Sequence, residues 1–437
     1  MRNTILIIAG TLFGGLAIVI GIQAVSKQPP RPESINTQTF AASGRATLSD
    51  RQMQAARDTI ERAPAAPGGY NLLCAAYLKQ ARETGDFSFN ARAEAALNRS
   101  LELSPAEDNY DALGLQATLL LAYHRFDEAL EVARRAQTMR PQDPLNYGAI
   151  TDALVELGDY RGAFAAAQKM MDLRPGALSY ARVSYLRELQ GDTRGAIEAM
   201  RAAAEAAGDP ETRAWCRVHL GDLLINTNDL AAAEQEFNRA LAGLPDYHLA
   251  FTGLARARLA AGDTDNAIRF YERARQRVPM PDTAIALGDL HFKLGHLDEA
   301  KKLYDMVELT ERTGLAGQNP YSRQLALFYA DHDMKLDDAL HIMRRERAAR
   351  SDIYTCDALA WVLYKKGDLA AAKTAIAEAS RLGTRDAGIA YHTGMIEHAL
   401  GHHREAAKHL QLALDINPTF DVLQAEVAKR TLRTLGK

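Results

Sequence analysis

Cysteine is scarce in this chain. Cys74, Cys216 and Cys356 lie far apart among 437 residues. An odd, sparse set without a Cys-x-x-Cys pair excludes a zinc motif and a disulfide framework. A surplus of one charge is also missing, because 52 Lys and Arg face 55 Asp and Glu. A dedicated nucleic-acid binder would carry a basic excess or patch, so no nucleic-acid partner is expected. The phosphate loop Gly-x-x-x-x-Gly-Lys-Ser/Thr, the Gly-x-Ser-x-Gly elbow and the His-Glu-x-x-His pair are all absent. No stretch reads as a convincing strand, and the many carboxylates are scattered as on solvated helix faces. Neither an enzyme nor a cofactor is expected.

One uncharged run stands apart. Thr4 to Val25 has 22 residues without a charge. At 1.5 Å per residue it reaches roughly 33 Å, enough for a bilayer core of about 30 Å. Secretory signals have apolar cores of only about 7–15 residues, so residues 1–26 are read as a retained anchor. Cleavage after Ser26, giving a secreted protein, is the alternative. Lys27 and Arg31 nearly balance Arg2 and the N-terminal amine, so the positive-inside count is close to a tie. A short tail before a first apolar segment usually acts as an export signal. The expected placement is therefore a single-pass membrane protein with its bulk outside the cytoplasm. Gly10 and Gly14 share a helix face and could pair with another membrane helix. Residues 27–46 are polar and Pro-rich and read as a tether.

The remainder is periodic. Ala93, Ala129, Ala163, Ala196, Ala233, Ala267, Ala300, Ala339, Ala372 and Ala406 recur at intervals of 33 to 39 residues, centred on 34. Such a period marks a helical solenoid. About five residues before many of these alanines stands Gly-Asp, as at Gly158-Asp159, Gly191-Asp192, Gly262-Asp263 and Gly367-Asp368. The glycine ends one helix in a left-handed conformation and the aspartate caps the next. Twelve residues after the anchor a proline often closes the unit, as at Pro105, Pro141, Pro175, Pro245, Pro279 and Pro418. Between these breaks lie two helices with apolar residues at 3–4 spacing. Short insertions are needed after Ala196 and between Thr310 and Tyr321. The unit at Ala339 lacks both the turn glycine and the closing proline.

These units resemble tetratricopeptide repeats (TPRs). Leu220, Gly221, Leu224, Ala233, Phe237, Ala240 and Pro245 occupy the family's signature positions. Leu254, Ala255, Ala267, Tyr271, Ala274 and Pro279 form a second good match, and Gly394, Ala406, Ala413 and Pro418 a third. The chain is similar to bacterial membrane-anchored TPR proteins of unassigned function. The expected fold is all-α: a right-handed superhelical solenoid of about ten helix pairs over residues 68–418. Capping helices are expected within 47–67 and 419–437, because a solenoid must cover its ends.

The resemblance implies that the first helix of each unit lines a concave groove. Its groove positions here hold Trp215, Asp222, Ile225, Asp289, Phe292, Tyr321, Phe328, Tyr354, Trp361, Tyr364, Tyr391 and Met395. Exposed aromatics in a groove are hot-spot material for a protein or peptide. The lysine by which chaperone-binding members clamp a C-terminal carboxylate is missing; its position reads Gly114, Gly148, Ala181, Val218, Thr252, Ile285, Gln324, Asp357 and Tyr391.

The leading expectation is a membrane-tethered scaffold that binds a protein or peptide and supports complex assembly. One alternative is a factor handling an envelope polysaccharide or peptidoglycan. Another is metal binding through the C-terminal histidines, with His398, His402 and His403 as weak candidates, since neutral imidazoles would have to converge on the ion.

Overall fold

The computed structural model describes residues 48–314 and 322–436, and among them every regular element is a helix. A lone helix, α1 (Leu48–Arg62), precedes ten pairs. The first five pairs are α2 (Pro67–Thr84) with α3 (Ser88–Leu103), α4 (Tyr110–Ala122) with α5 (Phe126–Met139), α6 (Pro144–Glu156) with α7 (Tyr160–Leu173), α8 (Ala177–Leu189) with α9 (Thr193–Ala206), and α10 (Pro210–Ile225) with α11 (Leu230–Gly243). The next five are α12 (His248–Ala260) with α13 (Thr264–Arg277), α14 (Pro281–Lys293) with α15 (Leu297–Gly314), α16 (Ser322–Asp331) with α17 (Leu336–Ala349), α18 (Ile353–Lys365) with α19 (Leu369–Ala379), and α20 (Ala387–Ala399) with α21 (His403–Ile416). A final helix, α22 (Gln424–Leu435), covers the C-terminal end.

Local chemistry explains the pairs. Each of the ten hairpin turns contains a residue with positive φ. Seven are glycines, and His124, Asn228 and Asp333 stand in the other three. Those residue types tolerate the left-handed region best after glycine. The unit at Ala339 thus makes its turn without the expected glycine, using Asp333 and Lys335. The following aspartate caps the second helix: Asp159, Asp192, Asp229, Asp263 and Asp368 each accept from the backbone N–H three residues on.

Small residues let the helices close. A β-carbon on Gly221 would lie 2.5 Å from Phe237 Cε1, and one on Gly253 would strike the same ring. Phe237 is fully buried between its own pair and the next. One continuous apolar core runs from Leu113 to Ala428.

The solenoid is wound tightly enough for successive turns to touch. The Ser351 N–H donates to the Glu156 carbonyl at 2.9 Å, and the Ile353 N–H to the Tyr160 hydroxyl at 2.9 Å. Arg350 Nη1 lies 3.2 Å from Glu156 Oε2. Thr384 donates to the Leu189 carbonyl, and Val278 packs on Gly85. All five of these partnerships join residues 193 to 195 apart in sequence, so one superhelical turn holds between five and six repeats.

Three expectations change or fall away here. Among the described residues no helix is long and apolar enough to cross a membrane, so the placement as a single-pass membrane protein is overturned. The longest, α2 and α15, have 18 residues and span about 27 Å, and each carries charged residues such as Lys79 and Lys301 along its length. The run at residues 4–25, Gly10, Gly14 and the tether at 27–46 lie outside the described residues. The stretch expected to be helical from Thr419 instead begins its helix at Gln424, because Asp421 accepts from the N–H groups of Leu423 and Gln424 and starts it there.

Candidate functional site

A cavity of ≈ 110 Å³ lies on the inner side of the superhelix. Its wall comes from the first helices α10, α12, α14 and α16, through Ile225, Thr252, Arg256, Ile285, Asp289 and Phe328 among others. The wall is completed by the short segment Thr419 to Val422, which leads from the last pair into α22. That segment is held in place from several sides. Lys293 Nζ donates to the Val422 carbonyl at 3.1 Å, Phe420 packs 5.3 Å from the Tyr391 ring, and Gln424 Oε1 accepts from Tyr391 at 2.6 Å.

The polar residues of the wall are mostly engaged. Arg256 is ion-paired with Asp222, with His219 Nδ1 3.7 Å from the same carboxylate. Burial raises the Asp222 carboxyl above its ordinary range, and the Arg256 charge opposes this. Asp289 accepts from Tyr304 at 2.7 Å and faces His332 Nε2 at 3.0 Å. Burial raises its carboxyl as well, against the pull of His332. Asp331 accepts from Trp361 Nε1 at 2.7 Å and from Gln424 at 3.3 Å.

Of the residues expected in the groove, Ile225, Asp289 and Phe328 line this cavity. Asp222 reaches it only through Arg256. The aromatics expected to be exposed are buried: Trp215, Phe328, Tyr354, Trp361 and Tyr391 are each at most 6% accessible. Trp215 packs edge-on against His219 at 4.0 Å. Phe328 sits between Tyr304 and His332. Trp361 is stacked between His392 at 4.1 Å and Tyr364 at 4.9 Å. Tyr364 and Met395 are half-buried, Met395 beside Thr431 of α22. The physical reason is the tight winding, which brings neighbouring pairs and the C-terminal cap onto these side chains. Phe292 is 49% exposed and is not part of the cavity wall. Tyr321 lies outside the described residues.

The segment Thr419 to Val422 is not foreseeable from the repeat pattern. The only sequence signal for it is Pro418, which stops α21 and forces a non-helical connection. The C-terminal histidines do not converge. The His398 and His403 rings are 5.7 Å apart and His402 turns to Glu397. Among the described residues no group of three or more His, Cys, Asp or Glu is placed to hold a metal.

Ten stacked helix pairs joined by tight left-handed turns, most of them at glycine, with aspartate caps and an inner wall of first helices define a helical-repeat solenoid of the interaction-scaffold class. Sequence comparison makes the assignment narrower. The tetratricopeptide repeat model matches residues 78–144, 180–248, 218–280 and 358–419, more than half of the chain, and a second model of that description matches 258–319. The chain belongs to the tetratricopeptide repeat family. Its members are typically protein-interaction scaffolds and not enzymes. No curated relative matches the sequence.

Solved structures with a similar fold include PilW, a type IV pilus biogenesis factor, at 17% identity, covering 46% of this chain and 92% of that one with a TM-score of 0.40. A tetratricopeptide repeat protein from Parabacteroides merdae is 18% identical, covering 60% and 99% with a TM-score of 0.35. MamA is 22% identical, covering 38% and 98% with a TM-score of 0.31. These are likenesses of fold alone.

Proposed function

We propose that this chain is a scaffold that holds a segment of a protein partner in its inner groove and supports assembly of a larger complex. One observation carries this reading: four first helices and the segment Thr419 to Val422 together wall a cavity lined by apolar and polar side chains in similar measure. In a ligand site apolar surface supplies contact area and polar groups fix orientation, and this wall offers both. Repeat architecture supplies such a groove without dictating its occupant, so the lining must define the partner.

A photo-crosslinking amino acid at Thr252 or Ile285, in the wall, should capture one defined protein in native cells. The same group at Arg194, whose side chain is 91% exposed on α9, should not capture it. Equal capture at both places, or none at the wall positions, would reject the groove.

A further inference from the structure

The cavity wall has a pronounced charge imbalance. Asp282, Asp289, Asp331 and Asp421 all contribute to it, from α14, α16 and the segment before α22. Arg256 is the one Lys or Arg of the wall among the described residues and is paired with Asp222, while His332 faces Asp289 at 3.0 Å, so the carboxylates still outnumber the cations around the cavity. A second observation is independent of these carboxylates. Gln324, on α16, is only 3% exposed, lines the same cavity, and its Oε1 accepts no hydrogen bond among the described residues. A buried acceptor without a donor is costly, so its presence in a cavity wall asks for an incoming N–H.

We infer that the cavity is a subsite for a guanidinium or ammonium group, presented on an alkyl stem. Such a cation brings several N–H donors and no acceptor, which matches a wall of carboxylates and an unfilled amide oxygen. The volume of ≈ 110 Å³ is well above the roughly 10–15 Å³ that a single water needs. Ile225, Ile285 and Leu327 provide apolar surface for the stem. A bare metal ion suits the site less well, since among the described residues no three ligating side chains converge there. Because the subsite lies inside the proposed groove, it rests on that reading. It specifies the partner as one that inserts a basic side chain. A free polyamine would offer the same chemistry from another source.

The test uses the full chain and fluorescence anisotropy. The probe is a fluorescein-labelled Gly-Ser peptide carrying three arginines, compared with the same peptide carrying citrulline, which keeps the shape and removes the charge. Unlabelled spermidine is the competitor. The arginine peptide should bind at least about tenfold more tightly than the citrulline peptide, a difference that salt reduces. The double variant D282N/D421N should lose at least about tenfold in affinity. Asn at 421 can still cap α22, so the fold should survive, and unchanged circular dichroism would check this. Gln324→Leu should weaken the arginine peptide, which loses an acceptor for one of its N–H groups.

Spermidine binding that shows the same dependence on Asp282 and Asp421, without peptide binding, would uphold the cation subsite and assign it a free polyamine. Equal affinity for arginine and citrulline peptides, undiminished binding to D282N/D421N, or no binding of either cation would overturn it. The two readings fail separately. If the crosslinked partner persists in D282N/D421N, the groove stands and the cation subsite falls. If the wild-type wall captures nothing, the groove itself falls.

Discussion

Arg350 and Glu156 are 194 residues apart and lie 3.2 Å from one another, both at most 4% exposed. They join one turn of the superhelix to the next. Arg350 also reaches Glu346 at 2.8 Å and lies 3.9 Å from Asp352, while Asp352 in turn accepts from Arg323 at 3.0 Å. Two cations and two carboxylates are thus buried at the seam between turns, with Glu346 half-buried beside them. Burial pushes the Glu156 carboxyl up, with Asp352 adding to the shift and Arg350 opposing it.

Arg350→Met should therefore be strongly destabilising. It leaves the buried carboxylates of Glu156 and Asp352 with too little compensating charge, and removing one partner of a buried pair typically costs about 3–5 kcal/mol. Chemical denaturation would measure the loss. An effect under about 1 kcal/mol would place the seam in water and contradict its burial.

The ring of Phe237 is wedged between two glycine faces. Gly253→Ala should destabilise by about 1–3 kcal/mol through overpacking. Adding Phe237→Leu should recover part of that loss, because the shorter side chain makes room for the new methyl. A double-mutant cycle should give a clear coupling energy, and strict additivity would show that the two sites do not touch.

Acid should destabilise the fold through His219. This histidine is 1% exposed. Burial, assisted by the Arg256 charge, lowers its pKa to about 3. The unfolded chain takes up the proton near the ordinary value of about 6.5, whereas the folded protein does not. Stability contributed by this depressed pKa is present above about 6.5 and is lost as pH falls towards 3, with a limiting slope of about 1.4 kcal/mol per pH unit. His219→Phe should flatten the stability profile in that window. An identical slope in the variant would refute the assignment.

Thiol chemistry should be silent in the native state. Cys74, Cys216 and Cys356 are free and buried. Desolvation raises the Cys74 thiol to about 12 and raises the others too, so little thiolate exists at neutral pH. A thiol reagent should label none of them quickly in the folded protein and all three in guanidinium. Rapid native labelling of Cys74 would mean that the α2–α3 pair opens readily.

Much of the architecture is legible because it is local. A glycine or a short polar residue with positive φ, an aspartate three residues before an N–H, and a proline after many of the second helices act within a few positions. Gly221 and Ala233 mark close helix approach, and their spacing reveals the pairing. The opened turn at Asp333 and the break at Pro418 are weaker signals. Residues other than glycine can adopt the left-handed region, and a proline ends a helix without setting the path of the chain beyond it.

The groove is less legible. Asp222 and Asp289 fall at equivalent positions of units two repeats apart, yet one is matched by an arginine of the next pair and the other by a histidine and a tyrosine. Trp361 has the register of an inner-face residue, but His392, Tyr364 and Asp331 enclose it.

By itself the sequence determined the class of element, the helix pairs, their turns and caps, and the family. Tertiary structure decided the pitch, and with it which inner residues face a cavity and which face another turn. The physical reason is that pitch accumulates from small rotations between successive pairs. A contact such as Glu156 with Arg350 depends on the sum of five to six of them, and no single 34-residue period encodes that sum.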